Sequence, residues 1–147
     1  MSESKFIYVT YIRTTPEKLW AALTQEEFIK QYWFGVAFDT DWKPGSPWRM
    51  HYADGQVTDE GEVAQCEPPR RLALRWRHKM RPQLAEEGEA FCLIELEPHQ
   101  DTVKLTVTHT MPQPDSKLIQ AVSGGWPSIL SNLKSLLETG KVILTRM

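Results

Sequence analysis

The sequence predicts an α+β fold: a curved antiparallel sheet of about seven strands, two short helices after strand 1, and a long C-terminal helix packed in the sheet's concave face. Three observations carry this. From Gly35 to His109 the chain is strand-like almost throughout and is punctuated by turn residues. From Ile119 to Leu137 the apolar residues recur at three and four, the period of a helix. A sheet with one apolar face must cover it, and that helix is the one element long enough to do so.

Residues 6–12, Phe-Ile-Tyr-Val-Thr-Tyr-Ile, are β-branched and aromatic and read as the first strand. Thr15-Pro16-Glu17 then opens a helix: Thr15 can cap, Pro16 suits the first helical position, and Glu17 favours the positive helix end. Thr24-Gln25-Glu26-Glu27 reads as a capping box for a second short helix, with Phe28, Ile29 and Tyr32 on its apolar side. Trp48, Met50 and Tyr52 alternate with Arg49 and His51, and Asp54-Gly55 supplies the positive φ of a hairpin turn. Gly61 to Cys66 is the next strand, broken by Glu67-Pro68-Pro69-Arg70. Leu72, Leu74, Trp76 and His78 alternate with Ala73, Arg75 and Arg77; residues 79–89 form a polar loop. Cys92, Ile94 and Leu96 mark another strand, and Val103, Leu105, Val107 and His109 form the cleanest period-two run in the chain. The long helix is expected over about 126–139, with an irregular stretch from about 116, and Gly140 stops it. Ser123-Gly124-Gly125 suggests close helix–sheet approach or irregular backbone.

The 147 residues suit a single domain spanning 1–147, long enough to bury a core without disulfides or metal. Hydrophobic residues at 41% and charged residues at 24% are globular values and exclude wholesale disorder. Seventeen Lys+Arg against 19 Asp+Glu leave a net charge of −2, which argues against a general nucleic-acid partner. Cys66 and Cys92 lack metal-ligand spacing and are expected as buried reduced thiols. No apolar run is long enough for a membrane helix, and Met1-Ser2-Glu3-Ser4-Lys5 does not open a secretory signal, so the expected compartment is the cytoplasm. No HExxH, GxSxG, P-loop or GxGxxG pattern occurs. No metal, no cofactor and no catalytic signature are therefore expected, and enzyme activity is not the leading reading.

Three motifs carry a resemblance. Thr15-Pro16-Glu17-Lys18-Leu19-Trp20-Ala21-Ala22-Leu23-Thr24 resembles the opening of SRPBCC (START/Bet v 1-like) proteins. Gly61-Glu62-Val63, then Glu67-Pro68-Pro69-Arg70-Arg71-Leu72 and Trp76, is similar to the central motif of their AHSA1-like branch. Gly125-Trp126-Pro127 followed by Leu130, Leu133, Leu137, Glu138 and Gly140 resembles that branch's C-terminal helix. The resemblance implies a helix-grip fold with a hydrophobic cavity between sheet and helix. It also implies relatives as varied as lipid and hormone carriers, aromatase/cyclases and a domain of an Hsp90 co-chaperone. That co-chaperone has a separate N-terminal domain for which this chain leaves no room, so Hsp90 activation does not follow from the resemblance.

The cavity wall is expected to consist of Trp33, Phe34, Trp48, Met50, Tyr52, Trp76, His78, Ile94, Leu105, Val107, His109, Trp126, Ile129, Leu130 and Leu133. These side chains are bulky and could equally fill the space. His78 and His109 fall near strand ends, where partial solvation is the bland expectation; with Tyr52 they could instead anchor a polar head or move a proton. Arg75 and Arg77 are expected on a solvated outer face, neutralised by the acidic run Glu86-Glu87-Gly88-Glu89. The leading function is binding of a small apolar or amphipathic ligand by a monomer or homodimer. The alternatives are a cyclase- or hydratase-type enzyme and a chaperone-linked interaction domain.

Overall fold

The computed structural model describes residues 3–146. Residues 1 and 2, part of the stretch read above for a leader, lie outside it. The elements run β1 (Ser4–Ile12), α1 (Pro16–Thr24), α2 (Glu26–Tyr32), β2 (Ala37–Asp39), β3 (Pro47–His51), β4 (Val57–Glu67), β5 (Arg71–His78), α3 (Pro82–Ala85), β6 (Ala90–His99), β7 (Thr102–Met111) and α4 (Lys117–Thr139). The seven strands form one sheet in the order β1-β7-β6-β5-β4-β3-β2, antiparallel at every ladder. β1 and β2 are thus opposite edges. α1 and α2 carry the chain from one edge to the other, and so wall one end of the concave face.

Period two on β7 does what the sequence implies. Val103, Leu105, Val107, His109 and Met111 are buried while Thr102, Lys104, Thr106, Thr108 and Thr110 alternate with them. Arg75 and Arg77 face outward on β5 and pair with Glu62 and Glu89, so the basic stretch is a solvated charge ladder. Gly61 of β4 has a specific steric task. A Cβ there would lie 1.8 Å from the Arg75 carbonyl oxygen and 2.8 Å from Trp48 Nε1. Its bare backbone lets the Trp48 indole cross and donate to that carbonyl at 3.0 Å.

Several local expectations are corrected. Thr15 caps α1 by accepting from Lys18 N, as expected, but Thr24 caps nothing. It is the last residue of α1 and its hydroxyl donates to the Trp20 carbonyl, while Gln25 holds the cap position of α2 with no side-chain bond. β4 begins four residues before Gly61, and the 79–89 loop contains the short helix α3. The long helix is regular from Lys117 and runs straight through Pro127. A proline inside a helix removes one hydrogen bond. The burial of Leu118 and Ile119 before it and of Ile129, Leu130 and Leu133 after it outweighs that loss. Ser123-Gly124-Gly125 lies within this helix, so its backbone is regular, and a Cβ on Gly124 would meet nothing within 4 Å, so Gly124 marks no close approach.

The start of α4 is fixed from two sides. Ser116 Oγ accepts from Ile119 N at 3.1 Å, and Glu87 accepts from Ser116 Oγ at 2.5 Å and from Lys117 N at 2.8 Å. Burial works against charge on Glu87, but these donors outweigh it and hold its carboxyl below the usual range. At the other end Gly140 closes the helix at φ 85°, and the tail folds back onto buried Asn132. Asn132 Oδ1 accepts from Ile143 N (3.1 Å) and Leu144 N (2.8 Å), and its Nδ2 donates to the Leu144 carbonyl at 2.8 Å. Removing that amide takes away three of the tail's backbone hydrogen bonds and leaves a gap at a fully buried position. Asn132→Ala should therefore cost about 2–3 kcal/mol of unfolding free energy in urea titrations; a loss below about 0.5 kcal/mol would mean the tail is not held by this side chain.

Candidate functional site

The interior between sheet and α4 is dominated by rings. Trp76, on β5, stands at the centre. Its ring centroid is 4.8 Å from Trp48, 5.2 Å from His109, 6.1 Å from Trp126 and 6.4 Å from Trp33. Trp48 continues the cluster by stacking on Phe38 at 5.0 Å, and Phe38 stacks on Trp42 at 5.1 Å. These rings nearly fill the groove. Under the centre of the sheet an enclosed cavity of about 20 Å³ remains, bordered by Trp33, Trp76, Ile94, Leu105, Val107, Trp126 and Leu130. That is room for about one water, and the wall is too apolar to hold one well.

A second pocket, of about 150 Å³, opens at the other side of Trp33, Trp76 and Trp126, between β3–β5, α3 and the first turns of α4. Met50, Leu84, Leu118, Val122 and Ile129 give it an apolar wall, and Asp59, His78 and Arg81 give it a polar end. Asp59 and His78 are register partners across β4 and β5. The Asp59 Oδ2 oxygen accepts from Trp76 Nε1 at 2.7 Å and lies 3.1 Å from His78 Nδ1. The carboxylate thus fixes one imidazole nitrogen, and the other, Nε2, is buried without a partner among the described residues. A carboxylate-oriented imidazole beside a pocket can give or take a proton, or hold a ligand's polar head. Among the described residues no group of three or more His, Cys, Asp or Glu side chains is arranged to hold a metal ion.

Of the residues expected on the cavity wall, Trp33, Trp76 and Trp126 border both spaces. Ile94, Leu105, Val107 and Leu130 border the small one, and Met50, His78 and Ile129 the larger. Phe34, Trp48, Tyr52, His109 and Leu133 border neither. Trp48, His109 and Leu133 are core residues. Phe34 is half-buried in the turn after α2, at φ 54°. Tyr52 is 41% exposed. The β3–β4 register shifts between Met50 and His51, which breaks the alternation that would have put Tyr52 inside. Sequence reasoning missed Asp59, Arg81, Leu84, Leu118 and Val122. The helical spacing Leu118–Val122–Trp126–Ile129 was visible in the chain, whereas Asp59 and Arg81 needed the β4–β5 register and the position of α3.

His109 is not half solvated but fully buried, and its chemistry differs from that of His78. Its Nδ1 accepts from Trp126 Nε1 at 3.1 Å, so the neutral ring carries its proton on Nε2, which has no partner. Burial pushes its pKa down to about 4, with the Asp59 charge working weakly the other way. It is therefore a neutral structural group at pH 7. Burial likewise pushes the Cys92 and Cys66 thiols up, although Cys66, expected to be buried, is only half-buried near the end of β4.

An antiparallel sheet gripping one long helix over an aromatic groove defines the helix-grip class. The chain belongs to the activator of Hsp90 ATPase homolog 1-like family, whose pattern it matches over residues 13–138. No curated protein matches it. Similar solved structures include a Mesorhizobium loti protein, 23% identical with TM-score 0.80, covering 95% of this chain and 100% of that one. The Aha1 dimer from Colwellia psychrerythraea is 20% identical with TM-score 0.75, covering 94% of this chain and 98% of that one. An HSP90 activator from Plasmodium falciparum is 18% identical with TM-score 0.73, covering 90% of this chain and 95% of that one. At these identities the likeness is one of fold.

The buried neutral His109 makes stability pH-dependent. Its folded pKa lies below the ordinary 6.5, so the unfolded chain binds the proton more readily, and its contribution is complete above about 6.5 and lost as pH falls toward 4. Between pH 7 and 4 the wild type should lose about 3 kcal/mol more than His109→Gln in urea unfolding; parallel pH curves would show that His109 is not held neutral.

Proposed function

We propose that the protein binds a small amphipathic molecule, about one aromatic ring in size, in the pocket between the sheet and the first turns of α4. The observation that carries this reading is the pocket itself: about 150 Å³, apolar on most sides, with Asp59, His78 and Arg81 gathered at one end. A cavity of about 150 Å³ in an unrelated protein accepts benzene, which sets the scale. Sterols and long acyl chains do not fit beside the rings that fill the rest of the groove. The pocket therefore supports a reading of binding for a smaller ligand than a wide cavity would take.

A second reading, acid–base catalysis on the bound molecule, is favoured by one geometric fact. Asp59 fixes His78 Nδ1 and leaves Nε2 without a partner. Tyr52 and His109, the other acid–base candidates, lie outside the pocket. Recovery of a chemically altered ligand after incubation, lost in His78→Gln, is the outcome that would favour catalysis over simple binding.

Thermal unfolding against a ligand panel tests the binding reading. A ligand at about 100 times its dissociation constant adds roughly 2.7 kcal/mol, or about 5–11 °C in the midpoint for a domain of this size. Single-ring amphiphiles should give such shifts and sterols none. Ala121→Phe, which intrudes on the pocket wall, should abolish them. No shift with any single-ring compound would sink the proposal.

A further inference from the structure

We infer that the ligand is an acid: a one-ring aromatic carboxylate, held by Arg81 through one oxygen and by His78 Nε2 through the other. The inference rests on the binding reading above and adds the chemical class of the ligand.

Two residues that border the pocket, Arg81 and His78, carry polar groups with no protein partner among the described residues, one exposed and one buried just behind the wall, and both suit the same ligand. The first is the Arg81 guanidinium. Arg13, Arg49, Arg71, Arg75 and Arg77 each pair with a carboxylate. Arg81, like Arg70 and Arg146, makes no ion pair or side-chain hydrogen bond among the described residues, and of these three it is the one that borders the pocket. Only its carbonyl is used, accepting from Leu84 N and Ala85 N at 2.9 Å in the turn that starts α3. That turn sets an exposed, unpaired cation at the pocket mouth. A guanidinium is a fork of donors that matches a carboxylate.

The second is His78 Nε2, buried and unpartnered on a side chain that is 12% exposed. With Nδ1 fixed by Asp59, Nε2 is a donor when the ring is charged and an acceptor when it is neutral. A carboxyl group serves either state. As carboxylate it accepts from Nε2–H, and as the acid it donates to bare Nε2, so one shared proton keeps the contact. A neutral amide leaves the guanidinium without a counter-charge.

The remaining charges around the site do not favour a cation. Lys79, next along the chain from His78, pairs with Glu60. Asp59 is the acid within the pocket, and its Oδ2 already receives the Trp76 N–H and lies against His78. A cationic ligand would meet Asp59 only with Arg81 beside it. The apolar wall of Trp33, Met50, Leu84, Leu118, Val122 and Ile129 takes the ring.

The test follows the indole N–H resonance of Trp76, which reports on the Asp59 contact, in ¹H–¹⁵N spectra titrated with benzoate, benzamide, benzylamine and toluene. Benzoate should bind several-fold more tightly than benzamide, since an ion pair with an exposed guanidinium is worth up to about 1 kcal/mol. Arg81→Gln, a change at an exposed position, should bring benzoate down to the affinity of benzamide; His78→Asn should reduce the preference. Equal affinity for benzoate and benzamide, tighter binding of benzylamine, or a benzoate preference that survives Arg81→Gln would each overturn the inference while leaving a one-ring pocket in place. If none of the four probes moves the resonance, this inference and the binding reading fall together.

Discussion

The Trp76 indole is the contact on which both core and pocket depend. Its N–H is spent on Asp59, which fixes the ring's orientation and at the same time occupies the carboxylate oxygen that faces His78. With the ring so fixed, Trp48 packs against it from β3, His109 from β7, and Trp126 and Trp33 from the helical side. One buried hydrogen bond thus ties the polar end of the pocket to the apolar cluster. Asp59 is affordable in the interior because it has donors to satisfy it; an unpaired carboxylate there would be costly.

The same ring cluster decides the dimensions of the site. A sheet that curls around one helix leaves a gap unless side chains close it, and here tryptophans close most of it. The space under β6 and β7 has shrunk to the size of a water molecule. What stays open is the end beside α3, where Gly125 and Ala121 of α4 are too small to reach across. Ligand size in such a fold follows from which side chains occupy the groove, not from the fold itself.

Much of this architecture was legible in the chain because its signals are local. Period two on β7, the Thr15-Pro16 helix start, the Asp54-Gly55 turn and the spacing from Ile119 to Leu137 each depend on neighbours a few residues away. The family motifs were legible too, and the structure supplies a reason for one residue: Gly61 is bare because Trp48 crosses it to reach Arg75. The misses were non-local. Asp59 became a site residue only through its register with His78, and Arg81 only through the turn into α3. His109 looked like a strand-end group, but Trp126, 17 residues along the chain, covers it and donates to it. Tyr52 was displaced by a register shift no local pattern announced.

Trp33, half-buried at the end of α2, stands between the two interior spaces together with Trp76 and Trp126. Of the three it is the one not rooted in β5 or α4, and it leads into Phe34 and Gly35, two successive residues at positive φ. That makes it a ruler. On the proposed binding reading, a ligand no longer than a ring would stop against it, whereas a longer one would have to swing the indole aside and give up its packing on Trp126 at 5.3 Å. On that reading the length limit would be the rotational cost of one side chain, and a change at this single position would reset it.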